Sequence, residues 1–92
     1  MKNQVLSIEQ MKMTNLHDCN GKNIPYNAPI RFCWWYRGSD GSEHEYFYKA
    51  KIRKRKSGDI FEFYENEDGD KIHFTHRLTA INWSEADLEL LT

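Results

Sequence analysis

The alternation of apolar and polar residues changes character at Ile30. Before it, Val5, Ile8, Met11 and Leu16 recur at helical spacing, and Ser7 with Gln10 forms a capping-box pattern. This predicts a short N-terminal helix over about Ile8–Thr14, laid on the domain or closing one end of a barrel. Asn20-Gly21 reads as a turn. The segment IPYNAP (24–29) reads as an extended lead-in, because each proline disfavours helix in the residue before it.

From Ile30 the period becomes two. Ile30, Phe32, Trp34 and Tyr36 fall on one face of a first strand, and Arg31, Cys33, Trp35 and Arg37 on the other. GSDG (38–41) is turn chemistry. A second strand over about Glu43–Arg55 carries Tyr46, Tyr48, Ala50 and Ile52 on one face and Phe47, Lys49, Lys51, Arg53 and Arg55 on the other. IFEFYE (60–65) predicts a third strand with Phe61 and Phe63 inward. The Asp-Gly of EDGD marks a hairpin into a fourth, KIHF (71–74). THRL reads as a tight helical turn and TAINW (79–83) as a fifth strand. Ser84 with Asp87 repeats the capping-box logic, so 84–92 is expected to be a C-terminal helix with Leu88 and Leu91 on its apolar edge.

The expectation is a mainly β single domain over 1–92. Residues 1–29 would form the helix and lead-in, 30–83 a small five-stranded, partly open SH3-like barrel, and 84–92 the closing helix. A curved sheet suits so short a chain, which buries only roughly 60–65% of its unfolded surface and must protect its strand edges. The aromatic content of 14% favours such a barrel, each ring filling much of a layer.

Charge alters the picture little as a sum and more as a distribution. The net charge of −1 creates no global field toward nucleic acid or membrane. Yet KAKIRKRK (49–56) holds six cations in eight residues, while 62–70 and 84–90 are acidic. No apolar run reaches signal-peptide or transmembrane length. The chain is therefore expected to be cytoplasmic, with Cys19 and Cys33 as reduced thiols that would pair only in an oxidising compartment.

The block Ile30–Ile81 resembles Tudor and Agenet domains, members of the SH3-like barrels. The stretches that carry the resemblance are RFCWWYRGSDGSEHEYFYKAKI, IFEFYENEDGDKIHF and LTAI. They cover about half the chain: a strand ending in aromatics, a Gly/Asp turn, a Tyr-x-Lys-Ala-x-Ile strand, an alternating aromatic strand, a second Asp/Gly turn and a leucine turn. The resemblance implies an aromatic cage at the open end of the barrel, with an acid beside it, for methylated Lys or Arg. The rings at matching positions are Trp35 or Tyr36, Tyr46 or Phe47, and Tyr64, with Asn66, Glu67 or Asp68 nearby.

Six large rings stand between Trp34 and Tyr48. Parity sends Trp34, Tyr36, Tyr46 and Tyr48 inward and leaves Trp35 and Phe47 outside, where either the N-terminal helix or a partner covers them. An aromatic rim of Trp35, Tyr36, Phe47 and Tyr64 is the first candidate site, for a protein or peptide partner of basic character. The second is a polyanion surface of Lys49, Lys51, Arg53, Lys54, Arg55 and Lys56 that would bind nucleic acid. Against it, Glu62 and Glu65 on the next strand can pair with the strand cations, whereas Lys54 and Lys56 have no evident partner. A third reading from size and charge segregation is a small phage- or mobile-element-type inhibitor of a larger, nucleic-acid-handling protein.

A zinc site from His17, Cys19, Cys33, His44, His73 and His76 is disfavoured by spacing, since no C-x-x-C occurs and His73 and His76 alternate across a strand. No nucleophile elbow, phosphate-cradling loop or metalloprotease helix is present, and ENEDGD lacks the pattern of a calcium loop. No metal, cofactor or catalysis is expected.

Overall fold

Period-two alternation is what the chain adopts. The computed structural model describes residues 13–91, which form two antiparallel sheets. In the smaller, β1 (Met13–His17) pairs with β2 (Asn23–Pro25). The larger contains β3 (Ile30–Arg37), β4 (Glu43–Arg53), β5 (Ile60–Asn66), β6 (Lys71–Arg77) and β7 (Ala86–Leu90), in the order β6-β5-β4-β3-β7. Two short 3-10 turns, Leu78–Ala80 and Trp83–Glu85, connect β6 to β7. The edge strands β6 and β7 are not hydrogen-bonded to each other, so the sheet does not close into a barrel.

Three expected elements are corrected. Of the helix expected over Ile8–Thr14, residues 8–12 lie outside the described residues, and Met13 and Thr14 belong to a strand. The strand expected over 79–83 is instead the pair of 3-10 turns, the second capped by Asn82, whose side chain accepts from the Ser84 amide at 3.1 Å. The helix expected over 84–92 is largely β7. Ala86, Leu88 and Leu90 also alternate with period two, and pairing with β3 satisfies their backbone while setting Arg31 against Glu89 in an ion pair.

The core lies on one face of the larger sheet. Ile24, Ile30, Phe32, Ala50, Ile52, Phe61, Phe63, Ile81, Ala86 and Leu88 are buried. Phe32 meets Phe61 and Phe63 edge-on, both at 5.0 Å, and Phe63 stacks on Phe74 at 4.6 Å and on Trp34 at 5.3 Å. Such ring pairs add about 0.5–1.5 kcal/mol each beyond burial alone.

The small sheet is fastened to the large one by Asp18. Its buried carboxylate accepts from the amides of Asn20 (2.9 Å) and Lys22 (2.8 Å) through one oxygen and from Leu90 (3.0 Å) through the other. The Leu90 and Lys22 amides hold the Asp18 carboxyl below the usual carboxylate range. The Cys19 amide also donates to the Leu88 carbonyl at 2.8 Å, so the outer edge of β7 is partly taken up.

Two departures from regular pairing position the candidate site. The β3–β4 hairpin overshoots its neighbours: β7 reaches only Trp34, opposite Ala86, and β5 only Tyr48, opposite Asn66. Residues 35–47 thus form a two-stranded arm. Its turn is held by Asp40, which accepts from the Ser42 amide (3.0 Å) and hydroxyl (2.6 Å), with Gly41 at φ 87°. Second, the pairing of β5 with β4 slips between Lys49–Glu65 and Ala50–Phe63, leaving Tyr64 as an extra residue. This bulge brings Tyr64 and Glu65 to the same outer face as Lys49 and Lys51.

Candidate binding groove

Rings that parity assigns to the inner face are not all interior. Tyr36 and Tyr46 share the core side of the sheet with Trp34 and Tyr48, but they sit on the arm and remain 45% and 38% exposed. The expectation that all four fill a barrel is corrected for these two, because no strand among the described residues flanks the arm to bring a covering layer. They instead stack on each other at 5.8 Å and 12°, their hydroxyls 3.4 Å apart, with His44 stacked at 5.1 Å on the other side of Tyr36. The Tyr36 hydroxyl, hydrogen-bonded to that of Tyr46, raises the Tyr46 phenol above its ordinary value.

The four rim residues do not form one surface. Trp35 and Phe47 are diagonal neighbours on the outer face and Tyr36 is on the inner face of the arm. Trp35 is 36% exposed, within an open wedge of about 510 Å³ beside Glu43, His44 and Glu45. Phe47 is half-buried beneath the Arg31 guanidinium, 5.5 Å from its ring centre. Tyr64 lies one strand away under the Lys51 ammonium, at 5.7 Å.

The structure assembles a different set of rings. A groove of about 300 Å³ runs between the base of the arm and the β5–β6 turn, lined by Tyr46, Phe47, Tyr48, Asn66, Glu67, Asp68, Ile72 and Phe74. It adjoins a second hollow of about 290 Å³ on the far side of Phe47, which shares Tyr48, Asn66 and Glu67. One wall is aromatic, with Tyr48 edge-on to Phe74 at 5.6 Å. The other is a rigid acidic turn. Asn66 accepts from the amides of Asp68 (3.0 Å) and Asp70 (2.9 Å), and Gly69 at φ 84° completes the loop. Neither Glu67 nor Asp68 has an ion-pair partner among the described residues. The resemblance pointed to Tyr46 and to this acidic turn. Phe74, in the expected fourth strand (71–74), was not among the rings singled out, because sequence does not show which strands border the arm.

The cation-rich strand is neutralised locally. Lys49 faces Glu65 at 3.3 Å, and Lys51 and Arg53 face Glu62 at 3.7 and 3.3 Å. Lys54, Arg55 and Lys56 lie beyond β4 in an exposed turn and have no carboxylate within 4 Å among the described residues. The cation set expected to act together is thus split in two.

The remaining candidates separate. His73 faces Glu62 on the outer side (3.7 Å) and His76 lies against Trp34 on the inner side (5.1 Å). Among the described residues no three His, Cys, Asp or Glu side chains converge as a metal site would require. Cys19 and Cys33 are unlinked. Burial pushes both thiols up, with Asp87 adding to the effect at Cys19 and Glu45 at Cys33, so neither is poised as a thiolate. Among the described residues no helix is long and apolar enough to cross a membrane.

The chain matches no protein-family model, no curated protein and no solved structure.

Proposed function

We propose that this chain is a non-enzymatic binding module that captures a protein or peptide partner by a cationic side chain. The observation that carries this reading is the groove in which Tyr46, Tyr48 and Phe74 oppose the carboxylates of Glu67 and Asp68, which have no ion-pair partner among the described residues. A lysine or arginine entering it meets π faces and negative charge together. A cation over one ring gains about 0.5–1 kcal/mol when exposed and ~2 kcal/mol when desolvated. Two rings and a carboxylate therefore give weak, reversible capture that tightens if the ammonium is methylated and less hydrated.

The architecture goes with the Tudor-type resemblance. Its support is the strand order: a meander from β3 to β6, a 3-10 turn, then β7 returning beside β3, the path of an SH3-like barrel in partly open form. On this reading the cage uses Tyr46 and draws on Tyr48 and Phe74 in place of Trp35, Tyr36 and Tyr64.

The test is an NMR titration of the ¹⁵N-labelled protein with one lysine peptide in three forms: unmodified, trimethylated and acetylated. The expected result is shifts at Tyr46, Tyr48, 66–68 and Phe74 with the two cationic forms, and none in the Glu67→Gln/Asp68→Asn variant. Equal binding of the acetylated form, or the absence of shifts at these residues, would remove the proposal.

A further inference from the structure

At the opposite end of β4 from the groove, the chain leaves the sheet at Arg53 and turns through Lys54, Arg55, Lys56, Ser57 and Gly58 to Asp59. Three consecutive cations here are exposed and lack a carboxylate partner among the described residues, while the three in the preceding strand are paired. The one acid of the turn is engaged: the Tyr26 hydroxyl donates to Asp59 at 2.6 Å, a bond that also raises the Tyr26 phenol. The Lys54 ammonium lies over the half-buried Tyr26 ring, 5.9 Å from its centre. Arg77 is exposed and falls level with this end, since it pairs with Ile60, whose other neighbour is Arg53. The Leu78 amide donates to the Asp59 carbonyl at 3.2 Å, tying the two loops together.

We propose that this end of the domain is a second, separate binding site, for single-stranded nucleic acid. Lys54, Arg55, Lys56 and Arg77 meet backbone phosphates, and an unstacked base lies on the Arg55 guanidinium or on the Tyr26 ring once Lys54 swings from that ring to a phosphate. Charge complementarity selects a polyanion. The turn has no apolar side chain to insert, which disfavours a lipid surface. A flat platform beside so short a cation cluster suits exposed bases better than a duplex groove. The site goes beyond the peptide groove and is independent of it, the two lying at opposite ends of β4.

Three to four phosphate contacts on a single strand give a slope of log affinity against log salt of about −2 to −3. Raising salt from 50 to 200 mM should then weaken binding roughly 15- to 60-fold. The experiment is fluorescence anisotropy of a labelled 20-nucleotide oligothymidylate with the whole chain. Lys54→Gln/Lys56→Gln should lose about tenfold or more at 50 mM salt, by removal of two contacts. Tyr26→Leu should lose several-fold with an unchanged salt slope. Lys49→Gln, in the paired strand, should match wild type. All variants are checked for wild-type circular dichroism, and the turn is also read directly by ¹⁵N shifts at 54–56 in the unmutated protein. The proposal is overturned by no measurable binding at 50 mM salt, by affinity indifferent to salt, or by an equal loss in Lys49→Gln. Tighter binding to a duplex of the same length, or to vesicles containing phosphatidylserine, would overturn it as well.

Discussion

The β3–β4 hairpin is one continuous ladder from Ile30–Ala50 to Arg37–Glu43, yet its two halves behave as different materials. The half flanked by β7 and β5 buries Ile30, Phe32, Ala50 and Ile52 completely. The overhanging half is equally rich in rings, and there Trp35, Tyr36 and Tyr46 stay more than a third exposed. The alternation is the same in both, although the inner face of the arm carries Tyr36, His44 and Tyr46 where the flanked half carries Ile30, Phe32, Ala50 and Ile52. The halves differ above all in whether a third strand among the described residues lies alongside. An aromatic residue in a sheet becomes core only where neighbouring strands bring a second layer over it, and where they stop the same residue becomes a surface for recognition.

The comparison breaks most visibly at its centre. Phe32→Ala should cost about 3–5 kcal/mol in urea denaturation, enough to unfold much of the population of so small a domain. Tyr36→Ala, four residues along the same face, should stay within about 1 kcal/mol. If the two cost the same, the arm is not independent of the core. Next in size, Asp18→Asn should lower the melting temperature at neutral pH, because an amide cannot accept all three backbone donors. Because the folded-state pKa of Asp18 is depressed, its contribution is complete above the unfolded value of about 3.8 and lost as pH falls through the lower folded value. Wild type should therefore lose more stability than the variant on descent below about pH 4. Smaller still, Tyr46→Ala should leave the melting temperature close to wild type while abolishing peptide-induced shifts in the groove. Smallest, Glu62→Gln should change stability by less than about 1 kcal/mol, and less again in high salt, since its cationic partners are part-exposed.

Much of the ladder is legible in the chain itself. The parity of Phe32, Ala50, Ile52, Phe61 and Phe63 identifies the core side, and the two Gly/Asp turns mark where strands reverse. Parity cannot say where a neighbour ends, which is why Tyr36 and Tyr46 read as interior. Nor can it register the bulge at Tyr64, an insertion that appears only once two strands are paired. Ala86–Leu90 satisfies both a helical and an alternating template over five residues, and a non-local partner, β3, decides between them. Glu62 and Glu65 read as partners of the strand cations because adjacent antiparallel strands carry opposite charge. The basic turn lies past the end of that ladder, so no carboxylate among the described residues pairs with it.

Asp18 also bears on how the molecule is made. Its bond to Leu90 spans 72 residues of chain. At roughly 5–20 residues per second, the ribosome needs roughly 4–14 s to deliver the second partner after the first. Through that interval the β1–β2 hairpin has no finished edge to dock against, and Asp18 closes only its local turn. Docking of the two sheets through this bond therefore waits until β7 is made and free to pair. Any ribosomal stall before Leu90 would leave a nascent chain with β3 exposed along the side that β7 later occupies, open to pairing with other strands.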